Sequence, residues 1–216
     1  MTEEELKDKQ YQRLIEARNF HYNNLNKWLI TFYAIIGALF LALWTLHASA
    51  TMHRYMELCV AIVGYVVSIG AILSIKGYYY WETNWIMLVH HFEKVNFKTK
   101  EDRVYSVFAN TSVNNSACCP VSGAHVSTSK VSLAITTFIS VVWGMIAIYI
   151  GISLLPRFGV EIPSSIFCVM LAFMISCVLT ILLMVFGAKK LESDLSNIDN
   201  LGLTKENMDK PLIDTK

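Results

Sequence analysis

An arginine and a histidine near the start of the chain are the first candidates for chemistry. Two residues separate Arg18 from His21, and seven separate Arg13 from His21. The arginine–histidine pair of a nuclease needs a spacing longer than the first and shorter than the second. Neither pair fits, so the sequence predicts no catalytic residue here. The alternative is that Arg18 and His21 snorkel or pair with an acidic side chain such as Glu82 or Glu93.

Histidine and cysteine also raise the question of a metal site. His90 and His91 are adjacent in sequence, so on a helix they point about 100° apart and do not form the i, i+4 pair that chelates one ion. Cys118 and Cys119 precede His125, but no second cysteine pair completes a zinc-type ligand set. We therefore expect neither a metal nor another cofactor.

The chain contains four runs without Asp, Glu, Lys or Arg, and these runs determine where the candidate residues lie in the fold. Each run is close to or longer than the roughly 20 residues that cross about 30 Å of hydrocarbon as a helix. The sequence therefore predicts four transmembrane helices. The uncharged runs are 28–53, 58–75, 131–156 and 162–188, and the predicted spans are about 28–50, 57–80, 131–155 and 162–188.

The predicted fold class is all-α, a four-helix transmembrane bundle with cytoplasmic helical extensions of the first, second and fourth spans. An amphipathic N-terminal helix, 1–27, precedes a membrane domain, 28–190, which includes a cytoplasmic segment, 81–130. Within that segment, 109–129 is rich in Asn, Ser, Thr and Gly and predicts a loop. A cytoplasmic tail, 191–216, completes the chain.

Lysine and arginine are distributed unevenly among the segments that connect the spans. The segments before the first span, between the second and third, and after the fourth hold all but two of the 18 basic residues. The other two loops have only Arg54 and Arg157. Because basic loops stay cytoplasmic, we expect a multi-pass protein of the cell inner (plasma) membrane with both termini in the cytoplasm.

Two amphipathic helical faces flank the membrane on the predicted cytoplasmic side. One runs from Tyr11 to Leu29 and the other continues the second span to Val95, each with apolar residues three and four positions apart. We expect the two faces to pack together as a cytoplasmic collar; the alternative is that the second lies flat on the lipid headgroups. The candidate gating or partner-contact residues on them are Arg18, His21, Trp81, Trp85 and His90.

The spans carry small residues at intervals that favour close helix packing. Lipid gives helices no hydrophobic drive to associate, so small side chains that let backbones approach supply much of the contact energy. The sequence leaves open whether these faces pack within one chain or between subunits. The candidate helix-packing residues are Gly64, Ser68, Gly70, Ser74, Ser140, Gly144 and Gly151.

Composition restricts the class of function. The chain is 54% hydrophobic and 16% charged with a net charge of +1, which is typical of a membrane protein and gives no electrostatic footprint for direct nucleic-acid binding. Within the four uncharged runs, the notable ionisable residue is His47 near the end of the first span, which we interpret as interfacial. Expected partners are membrane lipid, further copies of the chain, and a cytoplasmic protein.

The whole architecture resembles a known class of small four-span proteins. The basic amphipathic segment 18–28, the span that follows and the helix-extended middle segment are similar to membrane proteins of prokaryotic antiviral systems, in particular the accessory membrane protein of type VI-B CRISPR loci. The resemblance implies an effector or modulator that assembles in the inner membrane and alters its permeability when a cytoplasmic partner senses infection. It carries over no functional residue.

The resulting hypothesis is a non-enzymatic inner-membrane protein that self-assembles into a channel or membrane-perturbing effector. The alternative is a membrane scaffold or immunity-type protein that binds a partner protein. A membrane enzyme is disfavoured, because no nucleophile, base and acid can be assembled from residues predicted at one depth.

Overall fold

The described part of the chain is helical throughout. The computed structural model describes residues 2–49, 54–97, 99, 102, 103, 127–159 and 165–191. No strand occurs in these residues, so the predicted all-α class is confirmed. The elements are α1 (Glu3–Ala48), α2 (Arg54–Asn96), α3 (Thr128–Leu154), a 3-10 turn (Leu155–Phe158) and α4 (Ser165–Lys190).

All four α-helices are long and apolar enough to cross a membrane, which confirms the four predicted spans. Hydrocarbon offers no hydrogen-bonding partner to the backbone, so a span must satisfy its N–H and C=O groups internally, as an unbroken helix does. Helices α1 and α2, at 46 and 43 residues, are about twice the length that a span needs. Both therefore continue through the amphipathic segments. The predicted extension of the fourth span, 191–216, lies almost wholly outside the described residues.

The chain divides into two compact units. Unit 1 takes its described residues from 2–24 and 78–103, together with Ser127, and unit 2 takes them from 25–77 and 128–191. All four spans contribute to unit 2, whereas unit 1 contains the amphipathic parts of α1 and α2.

In unit 2, helix α4 packs through one narrow stripe of small side chains. Cys168, Ala172, Ser176 and Thr180 follow one another at four-residue spacing and are all buried. The large apolar residues of α4 are exposed, apart from Met184, which is partly buried against the core. Small side chains at this spacing let helix backbones come close, which is how helices associate where lipid supplies no hydrophobic drive.

The centre of unit 2 is a tryptophan on α3. Trp143 is fully buried and stacks on Phe40 of α1, with ring centroids 4.2 Å apart. Tyr65, Ile69 and Ile72 of α2 belong to the same buried cluster. One large ring therefore fills the space between helices that small residues bring together.

Hydroxyl groups join the helices of unit 2 across this core. The hydroxyls of Tyr33 and Thr136 lie 3.1 Å apart and link α1 to α3, and those of Tyr65 and Thr180 lie 3.1 Å apart and link α2 to α4. Ser176 on α4 donates to a backbone carbonyl of α3 at 2.8 Å. Each such bond contributes about 0.6 kcal/mol on average in a membrane protein, so their main effect is to fix which residues face each other.

An ion cluster joins the end of α1 to the start of α2. The carboxylate of Glu57 is almost fully buried and accepts from the guanidinium of Arg54 at 3.0 Å, while His47 lies 3.5 Å away. The pairing shields a carboxylate that would be costly to bury alone. His47, taken from the sequence as interfacial, is thus part of the connection between the first two spans.

Two of the candidate packing glycines lie in tight contacts within the chain. A Cβ atom on Gly64 would overlap the ring of Trp143, and one on Gly144 would overlap the hydroxyl of Ser176 and lie 2.9 Å from the ring of Tyr65. Both positions therefore require glycine for close approach inside unit 2.

The other candidate packing residues are placed differently. Gly70 and Gly151 have no atom within 4 Å of the position that a Cβ would occupy. Ser68 and Ser140 are fully buried, and Ser68 donates to a backbone carbonyl one turn earlier. Ser74 is half-buried. The small residues therefore divide between an interior set and a set with open space beside the backbone.

Replacing Gly64 by alanine tests this division. We expect Gly64→Ala to lower the free energy of unfolding by about 1–3 kcal/mol, because the new methyl group must displace the buried Trp143 ring. The matched variant on the same helix, Gly70→Ala, has room for the methyl group and should leave stability unchanged or raise it by about 0.5–1 kcal/mol.

Thermal unfolding in detergent, with the mass of the solubilised particle measured in parallel, checks the prediction. Unchanged thermal stability with a shift toward monomer in Gly64→Ala would contradict it and place Gly64 at a subunit seam.

Candidate functional site

The candidate site is the aromatic and polar cluster of unit 1, formed by α1 residues 2–24 and α2 residues 78–97, which we call the collar. Its two segments are in contact, as their amphipathic faces predict. The ring of Tyr11 stacks on Phe92 at a centroid distance of 5.9 Å and meets the edge of Phe97 at 5.4 Å. Asn24 donates its amide to the hydroxyl of Tyr78 at 2.9 Å.

A buried carboxylate lies beside these rings. Glu93 is fully buried and accepts a hydrogen bond from the hydroxyl of Tyr11 at 2.6 Å. A carboxylate removed from water is stabilised by charge-assisted hydrogen bonds, which are shorter and stronger than neutral ones. Tyr11 and Glu93 are 82 residues apart, so this bond ties the two segments of the collar together.

His21 lies against Trp85, and the structure thus brings two of the candidate gating residues together. Their ring centroids are 5.7 Å apart, and Phe20 meets the imidazole edge-on at 5.8 Å. The Nδ1 atom of His21 is buried and has no hydrogen-bond partner among the described residues. The imidazole of His21 therefore contacts two aromatic rings, one of which belongs to the other segment of the collar.

The other three candidate residues lie on the same two helices. Arg18 donates to the amide oxygen of Asn19 at 2.9 Å. Trp81 meets Tyr80 edge-on at 5.3 Å, and His90 is half-buried. The phenol of Tyr11 is a donor to Glu93 that the sequence did not indicate.

An arginine caps the carboxyl end of α2 in the collar. Arg103 donates from Nε to the carbonyl of Phe97 at 2.8 Å and from Nη2 to the carbonyl of Lys94 at 3.4 Å. The last carbonyls of a helix have no partner within it, and a cation there also interacts favourably with the helix dipole. No local pattern in the sequence indicates this contact, because Arg103 follows the end of the periodic apolar pattern.

Metal binding was considered from the sequence at two places. Within the described ranges, no group of three His, Cys, Asp or Glu side chains is arranged to hold a metal ion. Cys118, Cys119 and His125, with most of the predicted loop 109–129, lie outside the described residues.

The chain matches the model of a known protein family. Residues 8–153 match the model of a family described as 8xMP, the octameric membrane protein family. The match covers most of the α1 segment of the collar, its α2 segment, and almost all of the first three spans. No curated protein and no solved structure matches the chain.

Removing the phenol hydroxyl tests the bond that joins the collar. We expect Tyr11→Phe to destabilise unit 1 by about 1–3 kcal/mol, because a buried carboxylate loses a donor while the aromatic stacking remains. Amide hydrogen exchange should then accelerate over residues 85–97.

Tyr80→Phe is the matched control, since Tyr80 is exposed in the same unit. Equal exchange in the two variants would contradict a role for the Tyr11–Glu93 bond.

Proposed function

Because the chain belongs to the octameric membrane protein family, we propose that it is a non-enzymatic membrane protein whose copies assemble into an octameric channel or membrane-perturbing effector. The observation that carries the proposal is the filled interior of unit 2. Trp143, Ile72 and Ile75 are fully buried between the spans. Close packing among the described residues of unit 2 supports a conduit that forms between copies and not through one copy.

The outer faces of unit 2 supply the surface that assembly requires. Ile30, Leu41 and Trp44 on α1 and Ile166 and Met170 on α4 each expose more than half of their area. In a membrane such faces meet either lipid or another subunit. In an octamer, some of these faces contact lipid and the others contact neighbouring subunits.

The collar is the part that we propose to respond to a partner or ligand. His21 and Trp85 are half-buried and in contact, and Phe20 beside them is 65% exposed. A contact of this kind can be rearranged by a bound protein at low cost compared with the fully buried core. We propose that a cytoplasmic partner acts on it and thereby modulates permeability.

The cellular setting follows from charge distribution and architecture. Lysine and arginine lie almost entirely in three of the five segments outside the spans, which favours an inner-membrane protein with both termini in the cytoplasm. The resemblance to the accessory membrane protein of type VI-B CRISPR loci favours a role in antiviral defence.

Ion flux from liposomes tests the channel proposal. We expect the purified full-length chain to release ions from sealed vesicles, and a fluorescent ion indicator measures the release. His21→Ala, Arg18→Ala and Trp85→Ala should change the rate, because they remove the contacts of the collar. Trp85→Phe, which keeps an aromatic ring, and Gln12→Ala, an exposed change on the same α1 segment, should conduct like the unaltered chain.

The mass of each solubilised variant separates gating from assembly. An octamer that leaves vesicles sealed while it captures a protein partner would contradict the channel and support the scaffold or immunity-type alternative.

A further inference from the structure

An open groove runs along the outside of α3 and α4 in unit 2. Its walls are apolar and consist mainly of Leu133, Phe138 and Val141 of α3 with Phe173, Cys177 and Met184 of α4. One charged residue, Lys130, lies among the lining residues, and it is exposed in the first turn of α3. The groove is therefore apolar along its walls and basic at one end.

The length of the groove matches one leaflet of a bilayer. Lys130 precedes Val141 by eleven residues, which corresponds to about 16 Å of helix. Half of the hydrocarbon core is about 15 Å thick. A side chain at Lys130 is thus placed at headgroup depth when the apolar walls span the leaflet.

The end of α4 lies at nearly the same depth as the basic end of the groove, outside its lining. Ser176 bonds to the carbonyl of Val141, so these two positions lie at one level. The helices run in opposite directions, and Gly187 follows Ser176 by the same eleven residues that separate Val141 from Lys130. Lys189 and Lys190, in the last turn of α4, therefore lie near the level of Lys130.

We propose that this groove binds an anionic phospholipid, with an acyl chain along the apolar walls and the phosphate at Lys130. The ligand needs one anionic end and an apolar tail as long as a leaflet, and a phospholipid has both. The uncharged spans of a second copy match the walls but carry no anion. The site does not depend on whether the assembly conducts.

Native mass spectrometry of the full-length assembly measures the binding. Titration with dioleoylphosphatidylglycerol should give tighter binding than titration with dioleoylphosphatidylcholine. Lys130→Ala should weaken phosphatidylglycerol binding about fivefold, as expected for one lysine at an anionic headgroup. Lys190→Ala removes the same charge at nearly the same depth from a residue that does not line the groove and should leave binding unchanged.

A second variant fills the groove itself. Ala134 is an exposed lining residue, so Ala134→Trp should abolish retention of both lipids while the mass of the assembly stays the same. If Lys130→Ala and Lys190→Ala weakened phosphatidylglycerol binding equally, general surface charge would account for the effect. That result would overturn the proposed site. Dissociation of the assembly by Ala134→Trp would also overturn it, because the groove would then be occupied by a second copy.

Discussion

The structure of this chain depends on the close approach of helices that lipid does not drive together. In water, apolar faces associate because burial removes them from solvent, but in hydrocarbon that gain is absent and packing depends on van der Waals contact and hydrogen bonds. The four-residue stripe of Cys168, Ala172, Ser176 and Thr180 on α4 meets this condition. Gly64 and Gly144 meet it on α2 and α3, where even one methyl group would overlap a neighbour.

This packing fills the interior of unit 2. The surfaces that are available for function therefore lie on its outside. Trp143 occupies the space between the helices, and hydroxyl bonds such as Tyr65 to Thr180 hold their facing positions. One copy of unit 2 can therefore form only part of the wall of the proposed conduit. Because the chain belongs to the octameric membrane protein family, the conduit that we propose lies between copies.

The sequence predicted the features that depend on composition along the chain. Uncharged runs identified the four spans, because a charged residue in hydrocarbon is costly, and three- and four-residue spacing identified the faces that meet in the collar. The α4 stripe was missed because it contains no glycine near its centre, although alanine, serine, threonine and cysteine at four-residue spacing would have indicated it. Contacts such as Tyr11 to Glu93 or Arg103 to Phe97 depend on the three-dimensional path of the chain, which local patterns do not specify.

If the seam between the spans is dry within each copy, a thiol at position 176 is inaccessible to water-soluble reagents. Ser176→Cys, in a variant whose five native cysteines are replaced, places a small thiol at the fully buried seam of α4. In assembled membranes that thiol should resist a charged, water-soluble methanethiosulfonate reagent and react only after denaturation. Rapid reaction in the intact membrane would show a water-filled path through the copy itself and contradict the account.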